Sequence, residues 1–462
     1  MKKIISILSF AFILSANETT TDALSLNQAL EILKSQNLDI KAAKLDIESA
    51  RAKANTVSGM SWGKLTFTQD FARSNDAGNV FGFKLTSREA NFGDFGAEEF
   101  MTNSALCQGG DSAACDAMYN QPPDNLNYPG YRNFFQSKIK YEVPLFTGFA
   151  ISSYENIMHK MTELKSLDKK KILTEKTYEL RKSYYDMALL NTSIKNLNKI
   201  LNNIDTLENT TKTMIAVGYA KHVDLLEVKA KKGNVERLLI QMEANKKLLY
   251  HYISFLLNQK VHTIIPPVTE VTMPKISNEE ILKRNIDIQK ANTGLAIRKS
   301  MLQSSKAAYY PTVGAFGEVA TADNTFLGDA NDHKAYTIGA RLTWNIFNGG
   351  IDSAKIEESK LEKLKMQSQL ELAKHGIALK LDKIRTEIES SDAQIASLKK
   401  ELDLANAIYK NYEGRYKEKL VSMSDVIIKQ SAQIEKILQL QIAKNKRIEK
   451  IFALEKLANG DR

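Results

Sequence analysis

Past its first sixteen residues the chain has no run of eighteen apolar side chains, which removes a helical membrane span. Proline (8) and glycine (22) are scarce for 462 residues and gather in a few places, so most of the chain is regular structure. Disorder is excluded, because 43% of the residues are hydrophobic and 26% charged. Catalytic signatures are missing too. There is no GxGxxG, GxxxxGK[ST] or HExxH, and no GxSxG in a strand–turn–helix setting. The six histidines (His159, His222, His251, His262, His333, His375) show no ligand spacing; His222, beside a turn, reads as a solvated helix-end residue. No enzyme, cofactor or metal site is indicated. Two cysteines, Cys107 and Cys115, would bind metal weakly by themselves, and in an exported chain they are expected to form a local disulfide.

The net charge of +10 has no phosphate-binding focus. The surplus is spread along helical stretches as solvated lysines, so nucleic acid is not an expected partner. Residues 73–130 reverse the sign, with eight acidic side chains (Asp76, Glu89, Asp94, Glu98, Glu99, Asp111, Asp116, Asp124) against Arg73, Lys84 and Arg88.

Helical periodicity dominates what is present. Ile395, Leu398, Leu402, Ala405, Tyr409, Tyr412 and Tyr416 alternate steps of three and four, the seam of a left-handed coiled coil. Ser422 and Ser424 interrupt it beside Asp425, and a second periodic run returns to Leu457: one helix out, a reversal near Lys419–Ser424, one helix back. The same device occurs earlier. A helix from about Ile151 to Val217, roughly 100 Å at about 1.5 Å per residue, reverses at Gly218, and Asp224 opens its return.

Period two appears four times. Trp62–Phe71 places Leu65, Phe67 and Phe71 on one face, with Gln69 intruding, and Thr66, Thr68 and Asp70 on the other. Phe134–Phe146, a strand from Pro311 to Ala320 and Tyr336–Phe347 complete the set. Between the first two lies a Gly-, Asn- and Asp-rich insertion, read as exposed, with one short hairpin at Val80–Leu85. Leu24–Val57 reads as one helix.

The halves are duplicates. Asn37-Leu-Asp-Ile is echoed by Asn285-Ile-Asp-Ile, and Phe146-Thr-Gly148 by Phe347-Asn-Gly349. Gly148 to Gly349 and Asp224 to Asp425 are both 201 positions apart, so the long helices between them match in length. The expected division is as follows. Residues 1–16 are a secretory signal (Lys2, Lys3, an apolar run, then Ser15 and Ala16), and 17–61 the N-terminal helix of the first repeat. Residues 62–147 hold two strands with the insertion 73–130, 148–262 a helical hairpin, and 263–275 a proline-punctuated linker. In the second repeat 276–309 is the first helix, 310–348 two strands, 349–458 a helical hairpin and 459–462 a tail.

Four half-apolar strands leave unpaired edges that lipid forbids, so closure requires other subunits. Each strand is about the 9–11 residues that cross an outer membrane when tilted. Three copies give a twelve-stranded barrel, with aromatic side chains at the strand ends (Phe71, Tyr131, Phe134, Phe146, Tyr310, Tyr336, Phe347) as lipid-interface anchors. Phe146, Gly148, Phe347 and Gly349 form the corners between barrel and helix, where glycine permits the change of direction. The expected fold is a mixed α and β membrane protein: a homotrimeric barrel continued by a long α-helical coiled-coil tunnel.

With its duplicated Phe-x-Gly corners and the tip pattern aromatic-x-x-Gly-five residues-Asp, the chain resembles the TolC family of outer-membrane efflux and secretion ducts. The resemblance implies a trimer in the outer membrane of a Gram-negative bacterium, with a large periplasmic portion. It also implies docking by the tips (Gly218, Tyr219, Lys419, Ser422) onto a periplasmic adaptor and an inner-membrane transporter of RND or ABC type. It places a gate aspartate on Asp425, with Asp224 as its first-repeat counterpart. This sequence departs from the pattern: Ile215 stands where the first-tip aromatic belongs, Lys419 where the second-tip glycine belongs. Ile428 replaces a second gate aspartate and Val421 a linking arginine. A ring of three Asp425 carboxylates would narrow the mouth and favour cations, while either aspartate also suits the first turn of its return helix, where Ser424 is a rival cap. The expected role is passive conduction of small molecules such as drugs and toxic compounds. A type I protein-secretion duct is the alternative, and a non-conducting coiled-coil scaffold or adhesin the alternative of another class.

Overall fold

A computed structural model describes residues 23–267, 271–326, 328 and 332–459; the expected secretory signal at 1–16 lies outside the described residues. From the N-terminus, α1 (Leu26–Gln36) and α2 (Leu38–Met60) precede β1 (Lys64–Ser74). The insertion then holds α3 (Ala77–Thr86), α4 (Ala97–Gln108), α5 (Ser112–Asn120) and the single turn α6 (Asp124–Asn127). After β2 (Arg132–Phe146) come α7 (Ala150–Ala216) and α8 (His222–Leu257). The second half runs α9 (Asn278–Arg284), α10 (Ile286–Lys306), β3 (Thr312–Asp323), β4 (Lys334–Thr343), α11 (Ile351–Lys417) and α12 (Met423–Leu457). Helices α7 and α11 have 67 residues each. Both ends of α11, and the start of α12, lie 201 positions beyond their first-half counterparts, so the duplication is present in the fold.

The chain divides into two compact units, and each takes pieces of both repeats. One comprises the described residues up to Glu48, Glu163–Thr293 and those from Gln367 onward; the other comprises Ser49–Thr162 and Gly294–Met366.

The first unit is helical, with equivalent cores built by the two repeats. Leu33, Leu180, Met187, Ile253 and Leu256 are fully buried in one. Ile281, Leu381, Ile388, Leu454 and Leu457 occupy the matching positions of the other. A third cluster (Leu197, Ile204, Val228, Tyr409, Tyr416, Val426, Ile434) packs the distal parts of α7, α8, α11 and α12 together.

The single helix expected over Leu24–Val57 is instead two, broken at Asn37, and α9 and α10 break likewise at Asn285. The Asn37 carboxamide donates to the Leu256 carbonyl at 2.8 Å and accepts from the Ile40 amide at 3.1 Å. Asn285 repeats this with the Leu457 carbonyl (3.1 Å) and the Asp287 and Ile288 amides (3.0 and 3.2 Å). Each asparagine thus caps one helix and satisfies a free carbonyl at the end of another, which outweighs an unbroken helix. The first residue of the expected tail takes part: Asn459 is buried and accepts from the Ile286 amide at 3.3 Å. The linker is anchored as well, since Leu24 and Ile264 form a parallel bridge.

The second unit carries a four-stranded antiparallel sheet in the order β1-β2-β3-β4, so β1 and β4 are its two ends. Strand β4 stops at Thr343, short of the expected Phe347, because Thr343 pairs with Thr312, the first residue of β3, and no backbone partner follows among the described residues. The insertion is helical; the hairpin expected at Val80–Leu85 is the body of α3. Asp76 caps α3 by accepting from Asn79, and Asp111 caps α5 by accepting from Ala113 and Ala114. Val80 and Ser87 are buried at helical spacing, and Phe83 stacks on Phe134 of β2 at 4.2 Å. Local capping and that contact defeat the alternation that suggested strands.

Candidate functional site

Two places carry what a conduit requires: the faces of the sheet, and the turns at the ends of the long helices. Strand register decides the first. Leu65, Tyr141, Gly317 and Ile338 stand in one row, and Phe67, Ile139, Val319 and Tyr336 in the next. These rows share one face, and all their large side chains are exposed. The opposite face carries Thr66, Lys140, Glu318 and Thr337 in one row and Thr68, Lys138, Ala320 and Ala335 in the next. Lys138 pairs with Glu318 across strands at 3.5 Å. Gln69, which interrupts the apolar pattern of β1, lies in a polar row with Ser137, Thr321 and Lys334. There Gln69 accepts from the Ser137 hydroxyl at 2.5 Å. One side of the sheet therefore suits lipid and the other water, the alternation of a membrane barrel wall.

The sheet passes into helix at two corners. Gly148 is at φ +61°, and a Cβ there would lie 2.7 Å from the Ala307 carbonyl oxygen, so both conformation and space require glycine. Phe146, Phe149 and Tyr310 pack edge to face around it. At the second corner Gly349 (φ +68°) and Gly350 (φ +86°) are left-handed but meet nothing, and Phe347 is exposed.

The two turns are copies with different chemistry. In the first, Gly218 is left-handed at φ +78°, and the Tyr219 amide donates to the Met214 carbonyl at 2.8 Å. In the second, Lys419 takes the same conformation at φ +66°, and the Leu420 amide donates to the Arg415 carbonyl at 2.9 Å. A side chain there is strained by about 1 kcal/mol relative to glycine. The lysine makes a contact that glycine cannot: its ammonium lies 3.3 Å from the centre of the Tyr219 ring, joining the two turns. A second tie runs from the Ser424 hydroxyl to Glu227 at 2.6 Å. Ser424 is therefore not the cap. Ser422 caps α12 by accepting from the Asp425 amide, and the Asp425 carboxylate accepts back from the Ser422 amide and hydroxyl at 3.2 and 2.6 Å. Asp224 makes the matching contact, accepting from the Lys221 amide at 2.7 Å. Both aspartates are thus third residues of their helices, reaching back to the cap. Asp425 is exposed, and hydrogen bonds from Ser422 hold its carboxyl below the usual aspartate range. Tyr416, the aromatic of the second tip, is buried against Thr211 of the first repeat, with 3.4 Å between hydroxyls. His222 is exposed at the start of α8.

Elsewhere, Cys107 and Cys115 form a disulfide that joins the end of α4 to α5. In the sequence Asn37 and Asn285 stand out only as an echo; an asparagine two residues before an aspartate, inside a helical pattern, is the cap signal they carry. The Lys419–Tyr219 and Ser424–Glu227 contacts had none, being decided by packing between repeats.

Comparison with known proteins agrees with this geometry. Residues 278–460 match the family model described as Outer membrane efflux protein. Over 201 residues the chain is 24% identical to the putative multidrug resistance outer membrane protein MdtQ of Shigella flexneri, covering 42% of this chain and 40% of that protein. The match thus spans less than half the length of that curated relative. Among solved structures, the CusC channel superposes with a TM-score of 0.77 at 12% identity, covering 96% of this chain and 95% of that one. The outer membrane protein VceC of Vibrio cholerae gives 0.75 at 14% identity, covering 94% and 96%. At such identities the likeness establishes the fold.

Proposed function

We propose, from the match of residues 278–460 to the outer membrane efflux protein family and from the fold shared with the CusC channel, that this chain is the homotrimeric outer-membrane channel of a tripartite export system, passively conducting small molecules to the cell exterior. The sheet carries the reading. Its apolar rows match lipid, its polar rows a wet lumen, and its end strands β1 and β4 can be satisfied in a membrane only by neighbouring copies. Three copies then close twelve strands, and the long paired helices line a periplasmic tunnel. The tips around Gly218, Tyr219, Lys419 and Ser422 meet a periplasmic adaptor, behind which stands an RND- or ABC-type transporter. Such a duct needs no catalytic group, because flow is driven by the pump.

In the trimer the exposed Asp425 carboxylates form a ring at the periplasmic mouth, with Asp224 nearby, and favour cations. The capping contact and the ring are separable by substitution. Asp425→Asn keeps an oxygen for the Ser422 amide while removing the charge; Asp425→Ala removes both. In planar bilayers Asp425→Asn should weaken divalent-cation block, and Asp425→Ala should also raise single-channel conductance. Block unchanged in both variants would refute the gate. Electron microscopy of the detergent-purified chain should show a hollow particle of three copies; a monomeric, water-soluble particle, or one without a continuous passage, would end the reading.

A further inference from the structure

Near the end of the sheet, one cluster brings together three different metal-type donors that conduction does not use. Glu89 lies in the insertion between α3 and the turn Phe92–Phe95, Asp323 ends β3, and His333 stands just before β4. One ligand atom from each lies within 4.8 Å of the other two. All three belong to the unit that carries the sheet.

The surroundings are built rather than incidental. Asp323 is buried, accepts from the Asn324 amide at 2.6 Å, and is so closely covered that a Cβ at Gly328 would fall 2.2 Å from its Oδ2. Arg132, the first residue of β2, forms an ion pair with Glu89. The His333 side chain is only 11% exposed. Among the described residues its Nδ1 is buried without a hydrogen-bond partner, and it lies 3.9 Å from Asp323 Oδ2. Two carboxylates thus stand beside a buried ring nitrogen that has lost water, which carries an unmet desolvation cost at that nitrogen.

A divalent cation removes that cost by taking up the ring nitrogen, and the two carboxylates attract it to the site. One imidazole with two carboxylates suits an ion of the Zn²⁺ class and disfavours Mg²⁺ and Ca²⁺, which take oxygen donors. With ligand bonds of about 2.0–2.2 Å the donors close by roughly an ångström on binding. Arg132 stays on Glu89 as the partner that orients it. From this geometry we infer that Glu89, Asp323 and His333 bind one Zn²⁺-class ion, which fastens the insertion to the end of β3 and the start of β4.

The test is independent of conduction. The full chain, purified in detergent and stripped with EDTA, is titrated calorimetrically with ZnCl₂ near neutral pH, and proteolysis of residues 77–127 is timed with and without the ion. One saturable site per chain is expected, insensitive to excess MgCl₂ and weakened at least roughly tenfold by His333→Ala and by Glu89→Gln. Zinc should slow cleavage of the insertion in the wild type and not in the variants. No saturable binding, or binding unchanged in both variants, overturns the site. Binding that leaves proteolysis unchanged overturns the fastening.

Discussion

Lys419 keeps a left-handed backbone at a position where its first-repeat counterpart is glycine, and the Tyr219 ring supplies the compensation. Lys419→Gly should relieve about 1 kcal/mol of strain and forfeit a cation–π contact of about 0.5–2 kcal/mol. Melting should therefore barely move, while amide exchange at Tyr219 quickens. The two corner glycines separate more sharply. Gly148→Ala meets both a forbidden φ and the Ala307 carbonyl, whereas Gly349→Ala meets only the φ. The first should cost at least about 2 kcal/mol and the second about 1 kcal/mol, read as loss of heat-resistant assembled protein in detergent. Asp425 has a pH signature. Its carboxyl is held low in the folded chain by Ser422, so its contribution is present above the unfolded aspartate value and is lost as pH falls through the folded value. Amide protection in the first turn of α12 should fall below about pH 4, and Asp425→Asn should flatten that dependence.

At the scale of elements, Asn37 and Asn285 decide where helices stop. Replacing either with alanine leaves a carbonyl (Leu256 or Leu457) without its donor and a helix start without its cap. Each substitution should cost about 1–3 kcal/mol, and the two should act alike, as shifts in denaturant midpoint. The long helices and their reversals were legible from three-and-four spacing, because a seam that repeats over many turns is a strong signal. The break at Asn37 was not, since the apolar stripe runs on through it. The insertion misled for a related reason. Val80 to Leu85 alternates well enough for a strand, and only the Asp76 cap and the Phe83–Phe134 stack make it a helix.

For the whole molecule, the insertion is an addition to a sheet that does not need it. Ser74 and Arg132 already pair, so β1 and β2 form a complete hairpin without the residues between. Replacing residues 76–130 with a short turn should leave a trimeric, conducting particle, checked by its mass in detergent and its conductance; a monomeric product would show that the insertion builds the subunit interface. The sequence alone determined the duplication, the four strands with one apolar side each and the long helices. Those follow from periodicity and from backbone hydrogen bonding, which are local properties repeated along the chain. Tertiary structure alone decided which strand stands beside which, and so the alignment of apolar rows across all four. It also decided the ties between the two turns and the meeting of Glu89, Arg132, Asp323 and His333. Except between Asp323 and His333, ten positions apart, those contacts join residues from about 40 to more than 240 positions apart, where no spacing rule operates and only the packed chain brings the groups together.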